Sequence, residues 1–308
     1  MLEGITGGTA EYAGHYKGVF MKYGLWLKGF GAACVLNGAL VNIVAADNIQ
    51  ATVHNLGASA THTTNPNGGA PNRFDGTEEV CVFCHTPHGG DTSAAVPLWN
   101  RKLNNPASYL TYDQLGTSTF DAQVAPVGSV TIACLSCHDG TQAIDSVINA
   151  PGSGGYNPLG KGMQGSWSGS DQSGGILISG IIQNIGTDLR NDHPVGMQYA
   201  GGGITADNPT PPKGETTDPD FNPVSVRTSN DGRKLWWLDT NSNNRRDMQG
   251  DVVLYTRGPQ LGGGYTGQSK DEPFVECASC HNPHTAENAT FLRVSNTGSR
   301  LCLTCHAK

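Results

Sequence analysis

Apolar residues along this chain fall into a few short islands in a long polar, glycine-rich background. One island, Gly29 to Val44, carries no charge and follows Lys22 and Lys28. Three others read as strands: ILISGII at 176–182, KLWWLD at 234–239 and DVVLYTR at 251–257. Each is rich in branched or aromatic residues, and the last two, with turn residues between them, predict a β-hairpin. The middle of the chain is glycine-rich (PGSGGYNPLGKG, SGSDQSGG, YAGGG) and then proline-rich (NPTPPKGETTDPDFNP). Such sequence favours loops over regular elements. The expected fold is mostly irregular, with a few short β-strands and short helices at the cysteine-bearing motifs.

Composition strengthens that expectation. Glycine accounts for 42 of 308 residues and aromatics for only 7%, so the chain does not try to fill its interior with side chains alone. The N-terminal island has the layout of a secretory signal peptide. Translation would start at Met21, after an upstream extension, and cleavage would follow Ala46 in Val44-Ala45-Ala46, just before Asp47. The rival is a membrane anchor, for which the stretch is short. Cys34 inside it suits a lipoprotein poorly, because Gly31 stands where an aliphatic residue is expected. Cleavage removes Lys17, Lys22 and Lys28 but only Glu3 and Glu11, so the mature chain is one charge more acidic than the −7 of the whole. Nucleic acid needs a basic surface and is excluded as a partner.

The cysteines carry the chemistry. Of the nine, eight form four pairs of one grammar: Cys81-Val-Phe-Cys84-His85, Cys134-Leu-Ser-Cys137-His138, Cys277-Ala-Ser-Cys280-His281 and Cys302-Leu-Thr-Cys305-His306. Cys-x-x-Cys-His is the c-type haem attachment signature. Two thioethers reach the two vinyl positions of one porphyrin edge, and the adjacent histidine offers its imidazole to the iron. Zinc has no need of a histidine after every second cysteine, and disulfides have none either.

The first and third motifs continue to a second histidine, CVFCHTPH and CASCHNPH, and the other two do not. This long–short, long–short order suggests two dihaem units. The expected organisation is a leader over 1–46, an N-terminal dihaem unit over 47–150, a Gly/Pro-rich segment over 151–272 and a C-terminal dihaem unit over 273–308. His85, His138, His281 and His306 are the proximal ligands. Full ligation needs four more, and the mature chain offers His54, His62, His88, His193 and His284. His88 stands three residues from His85, on the same face of a helical turn. It therefore cannot easily be the trans ligand of the same iron, and it reaches for a neighbouring haem. His284 stands in the same relation to His281. His193, in LRNDHPVGM, is the third distal candidate, and His54 or His62 the fourth, with His54 favoured by its apolar neighbour Leu56.

The loop LDTNSNNRRDMQGD has two readings. It spaces oxygen donors as a calcium loop does, with Asp239, Asn241, Asn243, the carbonyl of Arg245, Asp247 and a late carboxylate at Asp251. It would also serve as a plain polar turn of the hairpin.

The motifs HNLG, VCVFCHTPHG, PLWNR, ACLSCHDGT, NDHP and LCLTCH resemble those of doubled-CXXCH multihaem c-type cytochromes of metal-reducing bacteria, and more narrowly the OmcE-like tetrahaem outer-surface cytochromes that polymerise into filaments. The resemblance covers the haem-bearing parts and fades across about 206–272, which reads as an insertion. It implies four bis-histidine haems stacked in a continuous chain and little regular secondary structure. It also implies extracellular electron transfer to minerals, electrodes or partner cells. The polymer would be head-to-tail, with one distal histidine given in trans, for which His54 is a candidate. A contact of that kind that does not close makes an open helical filament. The alternatives are a soluble periplasmic tetrahaem shuttle and a multihaem reductase with one open iron. The histidine supply disfavours the reductase, so no enzymatic activity is expected.

Overall fold

Residues 48–211 and 215–307 are described by a computed structural model. The N-terminal apolar stretch, Cys34 and the expected cleavage after Ala46 lie outside the described residues. The elements are short. The strands are β1 (Arg73–Phe74), β2 (Ser146–Asn149), β3 (Tyr156–Gly162), β4 (Trp167–Ser168), β5 (Gln172–Ser173), β6 (Ile176–Leu177), β7 (Met197–Gln198), β8 (Ser225–Thr228), β9 (Lys234–Leu238), β10 (Val252–Arg257) and β11 (Glu272–Val275). The helices are α1 (Thr131–His138), α2 (Cys277–Cys280) and α3 (Arg300–Cys305), each carrying haem-motif cysteines, with several 3-10 turns besides. Among the described residues no helix is long and apolar enough to cross a membrane.

Local sequence explains where elements stop. α1 ends at Gly140, whose φ of +67° is the left-handed conformation glycine supplies after a helix. A side chain there would also collide with Asn184. The apolar run at 176–182 makes only the two residues of β6, because Gly180 turns the chain at φ +82°. Ile182 consequently ends 77% exposed.

The expected hairpin is the centre of a larger sheet. β9 and β10 pair antiparallel, with Val252 opposite Leu238, Val253 opposite Trp237 and Leu254 opposite Trp236. Five strands assemble in the order β7-β11-β10-β9-β8, all antiparallel. Trp236, Leu238, Val252 and Leu254 share one face and form a core with Met197, Tyr199, Ile204, Val224, Val275 and Val294. Leu301 and Cys305 of the fourth motif pack against that core. On the other face Trp237 and Val253 are also buried, and α2 packs on β10. Burial of both faces is why KLWWL and DVVLY read as continuous apolar runs rather than alternating ones. The sheet lies between haem motifs, since β11 leads through Glu276 directly into α2. Val44–Lys308 forms one compact unit.

Trp236 has no exposed surface, and its indole N–H donates to Thr256 Oγ1 at 3.0 Å. Trp236→Ala should cost about 3–5 kcal/mol, the usual range for a buried large aromatic. Denaturant unfolding of the haem-loaded protein checks this.

Two further cores flank the first motifs. One gathers Trp99, Tyr109, Val127, Ile132, Leu135 and Leu189 around α1. The other gathers Phe74, Val82, Phe83, Ile144, Val147 and Met163. Cys84 packs against both, and Cys137 against the second.

Candidate haem sites

Each motif is shaped by its own backbone. The N–H of the histidine donates to the carbonyl of the first cysteine in three motifs: His85 to Cys81 at 2.7 Å, His281 to Cys277 at 3.1 Å and His306 to Cys302 at 2.9 Å. The second motif closes inside α1. One helical turn therefore sets the first cysteine and the histidine on one face. Among the described residues none of these eight cysteines is joined in a disulfide.

The imidazoles are oriented by carbonyls. Nδ1 of His85 lies 2.9 Å from the Pro97 carbonyl, that of His138 2.8 Å from Gln183 and that of His281 2.8 Å from Thr290. His54 makes the same contact with Pro283 at 3.2 Å, and His193 with Pro194 at 3.1 Å. A carbonyl only accepts, so Nδ1 carries the proton in these contacts. Nε2 is then left with a lone pair for a metal, which is the usual outer support of a metal-binding histidine. His306 is placed differently. Its ring lies 4.4 Å from that of Phe221, and the backbones of the two residues form a bridge. Asn222 fixes the same turn, donating from its side chain to the carbonyls of Leu303 and Thr304.

Two histidine pairs have the separation that one iron needs. A metal-bound imidazole nitrogen lies about 2 Å from the metal and about 1 Å from its own ring centre, so two trans ligands have ring centres about 6 Å apart. His54 and His138 are 6.1 Å apart, and His85 and His284 are 6.3 Å apart. The residues present therefore fit an iron porphyrin with two axial histidines. Burial, and next His138, hold His54 down at about 4. Burial also lowers His138, and burial followed by His85 lowers His284. All three stay neutral at neutral pH, as ligands must.

Those pairs interlock the two halves of the chain. His284, the extra histidine of the third motif, meets the proximal histidine of the first. His54 is engaged with His138 of its own chain, is held by a carbonyl of the third motif and stacks on Phe291 at 4.3 Å. His88 is exposed, with its carbonyl accepting from Thr86 and Asn149. His193 is also exposed. Both ring nitrogens of His62 are buried without a hydrogen-bond partner, and its carbonyl accepts from Arg73.

The cysteines follow one another in motif order. Burial, then Cys137, pushes the Cys84 thiol up to about 12. The Cys134 thiol donates to Cys277, which raises Cys134 and lowers Cys277. Burial, then Cys277, pushes Cys280 to about 11, and burial, then Cys280, pushes Cys305 to about 12. The first motif thus adjoins the second, the second the third and the third the fourth.

Sequence reasoning gave no role to Arg101, although it sits in PLWNR. It is fully buried, and its guanidinium donates to the carbonyls of Ser136, Ala143, Ile144 and Ser146 and to Ser136 Oγ. It binds the end of α1 to the chain that follows. Asn100 does the same for the first motif, donating to Val82 and Asn149 and accepting from the Asn149 N–H.

The loop at 239–251 closes on itself. Asp239 accepts from the backbone N–H groups of Asn241, Asn243 and Asn244, and Asn243 Oδ1 accepts from that of Arg245. Asp247 accepts from the side-chain amides of Asn241 and Asn243. Asp251 is fully buried and accepts from the N–H groups of Thr240 and Asp247. Among the described residues no group of three or more His, Cys, Asp or Glu side chains is disposed to hold a metal ion.

Repeated Cys-x-x-Cys-His turns with carbonyl-oriented imidazoles are features of a multihaem c-type cytochrome, whose haem is covalently bound and whose chemistry is electron transfer. The doubled CXXCH motif family matches residues 272–308, which hold the third and fourth motifs. No curated protein matches the chain.

Proposed function

We propose that this chain is a tetrahaem electron conduit, with one haem c on each Cys-x-x-Cys-His turn and two histidines on every iron. The observation that carries the reading is the pair of ring separations, 6.1 Å for His54 with His138 and 6.3 Å for His85 with His284. Both pairs join histidines distant in sequence. Bound haem c would supply one-electron exchange at iron. The protein's part is to orient the imidazoles through backbone carbonyls and to keep the four sites adjacent. His88 and His193 remain for the irons of His281 and His306. Both are exposed, so either can act within the chain or be given to a neighbouring copy.

The expected leader and the resemblance of the motifs to OmcE-like cytochromes support a conduit that works outside the cell, as the repeating unit of a head-to-tail filament. Electrons would pass to redox partner cytochromes or extracellular acceptors. Electron microscopy and electron paramagnetic resonance of purified secreted protein test both parts. Filaments with low-spin iron at all four sites are expected. A stable monomer with four low-spin irons leaves a soluble shuttle instead, and a high-spin native iron points to a reductase.

A further inference from the structure

One buried carboxylate is left unused by the reading above. Glu276 is 1% exposed and immediately precedes Cys277. Its Oε2 accepts from Thr131 Oγ1 at 2.5 Å, and its Oε1 accepts from Arg257 Nη1 at 3.1 Å. Its own N–H donates to Ser279 Oγ at 2.9 Å. Thr131 opens α1, and its Oγ1 also accepts from the N–H of Cys277 at 3.0 Å. A single carboxylate therefore ties together the starts of the helices bearing the second and third motifs. The Cys134 and Cys277 thiols interact with one another beside it, so porphyrins held by these motifs would have attachment points close to the carboxylate. Those cysteines bond porphyrin carbon and not iron.

The surroundings of Glu276 are poor in charge. α1 presents Thr131 and Cys134, and α2 presents Cys277 and Ser279. β10 presents Arg257 and the Tyr255 phenol, which burial pushes up. The preceding loop presents the Pro126 carbonyl, which accepts from Arg257 Nη2 at 2.5 Å. Among the described residues Arg257 is the cation that faces the carboxylate, and it shares its donors with that carbonyl. A buried ion pair rarely recovers the full cost of desolvating both charges. Burial accordingly pushes the Glu276 carboxyl up to about 7, against the pull of Arg257 and Thr131.

We infer that Glu276 couples proton binding to electron occupancy of the second and third haem sites: its carboxylate takes one proton from water when an electron arrives there and returns it when the electron leaves. With haem bound, the electron would come from the redox partner, and Glu276 would pass from carboxylate to carboxylic acid by taking the proton, with no other bond at this side chain made or broken. The negative charge added at the two sites would then be offset by a proton at a carboxylate that lies at the starts of both helices. This rests on the tetrahaem reading.

The test is a potentiometric titration of the haem-loaded protein, followed by absorbance at pH values from about 6 to about 8. In the wild type, part of the reduction wave should move to lower potential as pH rises through this window. Glu276→Gln keeps the shape and cannot ionise, so that movement should be lost while the low-spin spectrum is kept. Thr131→Val removes a bond that favours the carboxylate, so the window should move to higher pH. Either a pH-independent wild-type wave or the same slope in Glu276→Gln overturns the inference. If Glu276→Gln does not fold, an unmoved window in Thr131→Val overturns it instead. Failure of the haem reading is seen beforehand and separately, as substoichiometric haem or high-spin iron.

Discussion

Replacing His284 with alanine should turn the iron of the first motif, not that of its own motif, from low spin to high spin. The ring of His284 is set 6.3 Å from that of His85, with an interplanar angle of 21°. His281, its neighbour in sequence, is held separately by the Thr290 carbonyl. His54→Ala should do the same to the iron of His138. Each variant is expected to show one high-spin iron in four by electron paramagnetic resonance, with haem content unchanged because both thioethers remain. The double variant should show two, since the pairs share no residue. His62→Ala is the control. Its ring nitrogens are buried near Arg73 and belong to neither pair, so the spectrum should keep its low-spin form. A His284→Ala protein whose four irons all stay low spin would defeat the pairing.

Arg101→Ala should be the most destabilising substitution in the chain. Four carbonyls lose their guanidinium donor together, those of Ser136 and Ile144 in buried bonds and those of Ala143 and Ser146 in half-buried ones, and each buried group left unpaired costs about 1–3 kcal/mol. These costs are not additive, but a loss above about 4 kcal/mol is a large share of the 5–15 kcal/mol that separates a folded domain from its unfolded chain. Arg101→Lys should recover only part of it, because an ammonium cannot reach Ser136, Ala143, Ile144 and Ser146 together as the planar fork does. Denaturant unfolding reads both variants, and the deficit should appear as poor loading of the second motif. A midpoint equal to wild type in Arg101→Ala would show that water replaces the guanidinium at no cost.

The haem turns were legible because covalent attachment imposes a local grammar, with Cys, Cys and His inside five residues. The β9–β10 hairpin was legible for a similar reason, as two short apolar runs around a polar turn. What lay outside local grammar was invisible. Nothing around Met197 and Gln198 announces that β7 is the edge of the five-stranded sheet, because two residues carry no period. Gly180 cut the 176–182 run short, a break that the surrounding isoleucines obscured. The exchange of histidines between halves depends on tertiary packing, and spacing alone could say only that His88 and His284 look beyond their own motifs. Arg101 and Glu276 look like surface charges in sequence. Their burial comes from carbonyls and hydroxyls gathered from distant segments.

The pairing of His85 with His284 also bears on the order of assembly. A chain emerging from its N-terminal end presents the first motif long before the segment that completes it. On the tetrahaem reading, ligation of the first iron would have to wait for the segment that carries His284. A protein shortened before His284 would keep its first covalent haem yet lack that iron's sixth ligand. On the tetrahaem reading such a piece would be coloured and reactive toward small ligands such as carbon monoxide, whereas the finished molecule would be closed to them at that iron. Completion of the chain is thereby recorded at its opposite end.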